Sequence, residues 1–144
     1  MNERELLIKA LEAAKCAYAP YSRFCVGAAL LTADGKVYTG CNIENASYPA
    51  TICAERVAIS TAVAGSAARE AVECGFEAIA IVGGHADDIM KGVIHGECPP
   101  CGICRQVMAE FCRSDFRIIL GTPDKYSVYT LSEMLPHGFG MESM

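Results

Sequence analysis

The chain has 144 residues, a formal net charge of −5 and a hydrophobic content of 52%. This length fits one domain, residues 1–144, with a sizeable core, and the hydrophobic content argues against disorder. No run of about 18 apolar residues is present, so a membrane span is excluded, and the start lacks the pattern of a signal peptide. Because Lys and Arg do not cluster, we expect no nucleic-acid partner, no membrane partner and a small, uncharged substrate. We expect a cytoplasmic protein.

Nine cysteines are a high and odd number for such a chain. In a reducing cytosol, metal binding explains cysteines better than disulfides do. Five of them have apolar neighbours, and we expect these to be small buried hydrophobic residues: Cys16, Cys25, Cys41, Cys74 and Cys112.

In chain order, the first half is predicted to contain a helix, two strands, a loop and a second helix: 3–17, 24–31, 36–41, 42–51 and 52–64. Pro20 ends the first helix, and Asp34-Gly35 makes the turn between the strands, which therefore form a hairpin. Gly65 ends the second helix.

The second half is predicted to contain a short helical segment, a strand, a long loop, a helix and two strands: 67–73, 78–82, 83–99, 101–111, 116–120 and 126–129. A capping box from Thr130 to Glu133 opens a short C-terminal helix. Helices that alternate with short apolar strands indicate an α/β fold, in which helices cover the faces of a sheet.

Three cysteines and one glutamate have the spacing of a catalytic zinc site. Cys101 and Cys104 lie on one face of a helix's first turn, and Cys53 opens another helix. A structural zinc usually takes four protein ligands, whereas a catalytic zinc takes three and leaves the fourth position to water. Glu55, two residues after Cys53, is placed to carry protons. Cys-x-Glu followed by Pro-Cys-x-x-Cys resembles the signature of zinc nucleobase deaminases.

The charge of such a site needs compensation, since zinc with three thiolates is net negative. All three cysteines of the motif lie at helix N-termini, where free N–H groups and the helix dipole stabilise thiolates. Arg56, next to Glu55, is a further candidate for offsetting the charge.

Five longer motifs span most of the chain: Tyr21-Ser22-Arg23-Phe24, Asn42-Ile43-Glu44-Asn45-Ala46-Ser47-Tyr48-Pro49, Ile52-Cys53-Ala54-Glu55-Arg56, Pro100-Cys101-Gly102-Ile103-Cys104-Arg105-Gln106-Val107 and Leu135-Pro136-His137-Gly138-Phe139. Together they resemble the motifs of the small, homotetrameric, zinc-dependent cytidine deaminases. The resemblance implies a mixed five-stranded sheet covered by helices on both faces, as a three-layer sandwich. It also implies deamination of cytidine and 2′-deoxycytidine in pyrimidine salvage, with one Zn²⁺ per subunit.

The resemblance assigns roles to further residues. Those implied to bind substrate are Phe24, Asn42, Glu44, Ala54 and Phe139, with Asn42 and Glu44 on the ribose hydroxyls and Phe24 beside the base. Arg56 is implied to hydrogen-bond ligand sulfurs. The tail is implied to reach a neighbouring subunit, where Phe139 covers the site, so that the homotetramer shares its active sites.

Two rival functions stay open. The substrate could be another aminopyrimidine, such as a nucleoside antibiotic of the blasticidin type. Alternatively, the thiols could form a structural zinc module, for which Cys98 is the near candidate as fourth ligand, although Pro99-Pro100 stiffens the segment that follows it. Phe24 could instead be a core residue and Phe139 part of a frayed terminus. The three histidines are interpreted as solvated loop residues: His85, His95 and His137.

The segment before Cys101 departs from the family pattern. The loop over 83–99 is several residues longer than the usual link, and its end has Gly96-Glu97-Cys98-Pro99 where a Ser-Pro-Cys sequence is common. Met141 replaces a proline that often follows Phe-Gly in the tail.

Overall fold

The computed structural model describes residues 1–65 and 75–144. Its helices are α1 (Glu3–Ala14), α2 (Ala54–Ala64), α3 (Ala86–Met90), α4 (Gly102–Phe111) and α5 (Leu131–Met134). Its strands are β1 (Phe24–Thr32), β2 (Val37–Cys41), β3 (Phe76–His85), β4 (Arg117–Thr122) and β5 (Lys125–Thr130). Two short 3₁₀ turns lie at Tyr48–Ala50 and Met141–Ser143. No helix in either described range is long and apolar enough to cross a bilayer.

Within these ranges the strands form a five-stranded sheet in the order β2-β1-β3-β4-β5. β1 is antiparallel to both of its neighbours, and β5 is antiparallel to β4. β3 and β4 are parallel, and a parallel pair needs a long crossover connection, which here contains α3 and α4. The arrangement confirms the predicted mixed five-stranded sheet.

Helices cover both faces of the sheet, as predicted. Successive residues of a strand point to opposite faces, so β1 contributes to both layers of the core. Ala28 and Leu30 pack on one face with α2 and α4. Ala29 and Leu31 pack on the other face with α1, including Leu7. The predicted thiol site belongs to the face of α2 and α4.

Two glycines let helices lie directly on the sheet. A Cβ atom at Gly27 would lie 2.0 Å from the Ala10 carbonyl oxygen in α1, and one at Gly40 would lie 2.5 Å from the Ala54 carbonyl oxygen in α2. Real Cβ contacts are essentially never under 3.0 Å, so any side chain at either position would push the helix away. The contact at Gly40 fixes the first turn of α2, directly after Cys53.

The third strand is longer than predicted. The strand predicted at 78–82 extends over Phe76–His85, and α3 follows it directly, so the prediction of a loop over 83–99 is wrong in its first half. Adjacent glycines are typical of turns, but Gly83 and Gly84 both pair with β1 in antiparallel register. Close packing over Gly83, described below, explains why glycine lies in this strand.

The first helix is shorter than the prediction of 3–17. It ends at Ala14, because the chain then turns toward the end of β2. There the Tyr18 N–H donates to the Asn42 carbonyl oxygen at 3.0 Å. The residues after Ala14 therefore form a loop that is hydrogen-bonded to the segment following β2.

The five cysteines predicted as buried differ in exposure. Cys25 is buried, and Cys41 and Cys112 are half-buried. Cys16 is exposed in the turn after α1, so the prediction for this residue is wrong. Burial raises the pKa of Cys112 to about 12, which keeps that thiol protonated. Cys74 and the helical segment predicted over 67–73 lie outside the described residues.

Candidate active site

Two helix N-termini bring the three predicted thiols together. Cys53 is the N-cap of α2 and Cys101 is the N-cap of α4, while Cys104 lies in the first turn of α4. The three sulfur atoms all lie within 4.8 Å of one another, and the Sγ atoms of Cys53 and Cys101 are 3.8 Å apart. Among residues 1–65 and 75–144, no other group of three potential ligands lies this close.

Arg105 fixes the approach of the chain to α4. Its Nε donates to the Pro100 carbonyl oxygen at 2.8 Å, and its Nη1 donates to the Met134 carbonyl oxygen at 2.6 Å. These bonds tie the residue before Cys101 to the end of α5. The sequence indicated this residue only through the motif that contains it, and its bracing role needed the fold.

Arg56 lies directly against the thiols. Its Nη2 donates to the Cys53 sulfur at 3.5 Å. This hydrogen bond is the chief cause that raises the pKa of Arg56. Its Nε atom is buried without a hydrogen-bond partner among the described residues, which leaves a donor next to the sulfurs.

The thiols lose their protons unequally. A hydrogen bond with Cys104 is the main cause that lowers the pKa of Cys53 to about 5, and Arg56 adds to the effect. The same coupling raises the pKa of Cys104. Metal ligands must be deprotonated, so cation binding would release the remaining protons.

These residues fit a zinc ion. Three thiolates converging on one point form a soft donor set of the kind that zinc takes, and three protein ligands leave a fourth position open. The guanidinium of Arg56 offsets the excess negative charge of such a centre. A guanidinium that neutralises the negative charge of the three thiolates would have its Nε buried beside the sulfurs, as Arg56 does.

Glu55 is buried beside the thiols, with 4% of its surface exposed. Burial is the main cause that raises the pKa of Glu55 to about 7, and the Cys53 charge raises it further. A carboxyl group with this pKa takes up and releases a proton near neutrality, which is what a general acid–base group requires.

Cys98 lies near this group but outside the three sulfurs that could hold a metal ion. Burial is the main cause that raises the pKa of Cys98 to about 11, and the charges of Glu55 and Cys53 contribute. Cys98 is therefore a neutral thiol that faces the site.

Phe24 and Asn42 flank the thiol face. Phe24 is the first residue of β1 and lies in the same alternating row as Ala28 and Leu30, which pack against α2 and α4. Asn42 follows β2, and its side chain joins the two strands. Its Oδ1 accepts from Val26 N–H at 2.8 Å and its Nδ2 donates to the Phe24 carbonyl oxygen at 2.9 Å. One N–H and one lone pair of Asn42 remain for a substrate.

Glu44 is held by the turn before β1. Its Oε1 accepts the N–H groups of Tyr21 and Ser22 at 2.9 and 3.1 Å, and its Oε2 accepts the Ser22 hydroxyl. The bond from Ser22 is the main cause that lowers the pKa of Glu44, so the carboxylate is charged. It lines a cavity of about 410 Å³ with Tyr21, Ser22, Asn45, Tyr48 and Thr51.

Ser22 was missed as a functional residue in the sequence. Besides binding Glu44, its Oγ accepts the Phe24 N–H at 3.0 Å. One hydroxyl thus links two predicted substrate-binding residues. The available signal was its place between Tyr21 and Phe24 in the first motif.

The remaining two predicted substrate residues differ in position. Ala54, between Cys53 and Glu55, is fully buried. Phe139 is 61% exposed, and its carbonyl oxygen accepts from Gln106 Nε2 at 2.9 Å. It lines a cavity that contains none of the three thiols. The fold of one chain therefore does not bring Phe139 to the thiol site.

The histidines lie apart from the thiols in the described structure. His85 Nδ1 accepts the Asp87 N–H at 3.3 Å, and His95 Nε2 lies 3.2 Å from Asp88 Oδ2. Neither of them, nor His137, belongs to the group that could hold a metal ion.

Comparisons with known proteins agree with this chemistry. The family model described as the cytidine and deoxycytidylate deaminase zinc-binding region matches residues 1–120. The cytidine deaminase of Halalkalibacterium halodurans is 47% identical over 144 residues, which are 99% of this chain and 98% of that protein. The cytidine deaminase of Sporosarcina psychrophila is 39% identical, with 100% of this chain and 96% of that protein covered. The crystal structure of cytidine deaminase from Burkholderia pseudomallei matches with a TM-score of 0.80 at 40% identity, over 96% of this chain and 100% of that one. The chain therefore belongs to the cytidine and deoxycytidylate deaminase zinc-binding family.

Proposed function

We propose that the protein is a zinc-dependent cytidine deaminase, which hydrolyses free cytidine and 2′-deoxycytidine to uridine and 2′-deoxyuridine with release of ammonia. The observation that carries this proposal is the buried Glu55 beside three converging thiols. Its place would be pyrimidine salvage in the cytoplasm, and residues 1–144 would act as a single catalytic domain.

The proposed metal ligands are Cys53, Cys101 and Cys104, which would hold one Zn²⁺ per subunit. When bound, zinc supplies Lewis-acid chemistry that lowers the pKa of water. The role of Arg56 is to stabilise the ligand thiolates, in keeping with its hydrogen bond to the Cys53 sulfur.

Glu55 is the proposed proton carrier. It takes a proton from the attacking water as the new C4–O bond forms, and it delivers that proton to ring N3. It then moves the remaining proton of the new C4 hydroxyl to the amino group, which leaves as ammonia when the C4–N bond breaks and the C4=O bond forms. A pKa of about 7 suits both directions of transfer.

Five residues are proposed to bind the nucleoside: Phe24, Asn42, Glu44, Ala54 and Phe139. The exposed ring of Phe24 offers a stacking face for the base. The ribose hydroxyls are to be bound by Asn42 and by the carboxylate of Glu44. Because Glu44 is charged and fixed by Ser22, it favours hydroxyl donors and repels a phosphate on the sugar.

Substrate discrimination tests this proposal. We expect ammonia release from cytidine and 2′-deoxycytidine, and a several-fold lower kcat/KM for cytidine 3′-monophosphate, because the charged Glu44 repels the phosphate. Zinc analysis of the same preparation should give about one ion per subunit. A preparation that binds zinc but releases no ammonia from either nucleoside would favour a structural zinc module. Ammonia release from a different aminopyrimidine, and from neither nucleoside, would favour the other rival function, deamination of that compound.

We further infer a homotetramer whose active sites are shared, with Phe139 reaching a neighbouring subunit. Two features support this inference. The Phe139 ring is exposed while its backbone is anchored to α4. Large apolar side chains are also exposed on the edge strand β5 and on α4, including Tyr126, Val128 and Ile103. Symmetric association is the common way to bury such surface.

Replacing Phe139 by alanine should raise the KM for cytidine while zinc content is kept. Loss of one aromatic face weakens binding by roughly 3- to 10-fold, in line with the worth of an aromatic contact. The measurements are steady-state kinetics and light scattering. Met144→Ala, in the same tail and 93% exposed, is the matched control and should behave as wild type. A wild-type protein that is monomeric at micromolar concentration and fully active would contradict the shared site.

A further inference from the structure

One thiol that the proposed chemistry does not use, Cys98, meets Phe24 over the third strand. A Cβ atom built on Gly83 would lie 2.6 Å from Cys98 Sγ, 3.0 Å from Cys98 Cβ and 3.1 Å from Phe24 Cε1. The sulfur and the edge of the ring therefore lie over the same point of β3. The absence of a side chain at Gly83 makes room for both.

The ring of Phe24 is only partly covered by the rest of the protein. It lies at the end of β1 and is 44% exposed, whereas Ala28 and Leu30 in the same row are fully buried. A half-exposed aromatic ring can adopt several rotamers unless a neighbour restricts it. Cys98 and Gly83 are placed to impose that restriction.

Cys98 is itself held from both sides. The Tyr129 hydroxyl lies 3.1 and 3.0 Å from the two carboxylate oxygens of Glu97, which ties the preceding residue to β5. Arg105 binds the Pro100 carbonyl oxygen on the other side at 2.8 Å. The sulfur also packs against the core cluster of α2 and α4. A side chain fixed in this way can act as a rigid support.

We propose that Cys98 is a positioning residue for Phe24: together with Gly83 it forms a seat that holds the ring in the orientation in which it stacks on the pyrimidine. The inference rests on the proposed function, because it takes the base to lie beside Phe24. A small, neutral thiol suits this role, since sulfur makes favourable contacts with the edge of an aromatic ring.

Kinetics of single and double variants test the proposal. Cys98→Ala should raise the KM for cytidine by roughly 2- to 10-fold, the range expected for loss of a sulfur–aromatic contact, with kcat and zinc content unchanged. Cys98→Ser, which keeps most of the shape, should restore part of the loss. Because Cys98 acts through Phe24, adding Cys98→Ala to Phe24→Ala should raise KM no further. The matched control is Cys112→Ala, a half-buried thiol on the same core cluster, which should leave KM unchanged.

A second readout is independent of turnover. The chain has 5 phenylalanines, so fluorine NMR of protein labelled with fluorophenylalanine gives few signals, and Phe24→Leu identifies that of Phe24. We expect Cys98→Ala to shift or broaden this signal and to leave the others in place. If the protein failed to deaminate cytidine, the proposed function would be wrong. The Phe24 signal would still show whether Cys98 and Gly83 hold the ring. An unchanged Phe24 signal, additive effects on KM, or loss of zinc in Cys98→Ala would each overturn the positioning role.

Discussion

Glu55→Gln should lose nearly all turnover of cytidine while retaining zinc and fold. The amide has the size of the carboxyl group but cannot accept the proton of the attacking water or pass it to N3 and to the amine. A general acid–base group contributes about 10²–10⁴-fold to a rate, and one that serves several steps contributes at the upper end or beyond. Burial of Glu55 and its raised pKa are the structural reasons for this expectation.

The measurement for this variant is kcat for cytidine, with zinc content and circular dichroism on the same preparation. Glu12→Gln, on the exposed side of α1, is the matched control and should keep the wild-type rate. The KM of Glu55→Gln should change much less than kcat, because the interaction is made chiefly in the transition state. Activity of Glu55→Gln within threefold of wild type would contradict the assignment.

Cys104→Ser should lose zinc and, with it, activity. Cys104 is fully buried and its sulfur belongs to the converging group, so its replacement leaves two thiolates and a poorly coordinating hydroxyl. We expect the zinc content to fall from about one ion per subunit to a small fraction of that value, because two protein ligands do not form a stable zinc site. Cys101→Ser should behave in the same way.

The variant Cys98→Ser distinguishes a zinc site with three protein ligands from one with four, in which Cys98 would be the fourth. The Cys98 sulfur lies outside the group of three, so this variant should keep about one zinc per subunit, as a three-ligand site requires. Metal analysis of the purified variants decides the matter. Loss of zinc from Cys98→Ser would make Cys98 a ligand and would favour the structural zinc module.

The sequence could predict the group of three thiols because all three cysteines lie at helix starts. The spacing of Cys101 and Cys104 places both in one turn, and Cys53 and Glu55 share another, so local periodicity already determines most of the geometry. The sheet was predictable for a similar reason, since short apolar strands alternate with helices. The family resemblance implied that Arg56 hydrogen-bonds ligand sulfurs, and its Nη2 donates to the Cys53 sulfur at 3.5 Å.

The parts that could not be predicted depend on contacts between distant segments. Gly83 and Gly84 carry a turn signal, and only the packing of Cys98 and Phe24 over Gly83 explains why a strand continues through them. Ser22 gains its role from a residue 22 positions away, Glu44. The proposed role of Phe139 needs a neighbouring subunit. The periodicity of one chain carries no information about contacts between subunits.

The most direct test of the central proposal is the rate of uridine and ammonia formation from cytidine, measured on one preparation with zinc bound, removed by a chelator and restored. We predict equal amounts of uridine and ammonia from the zinc-loaded protein, loss of both products on chelation, and recovery of both at about one zinc per subunit. Full activity after complete removal of the metal, or no uridine from the zinc-loaded protein, would contradict a zinc-dependent cytidine deaminase built on Cys53, Cys101, Cys104 and Glu55.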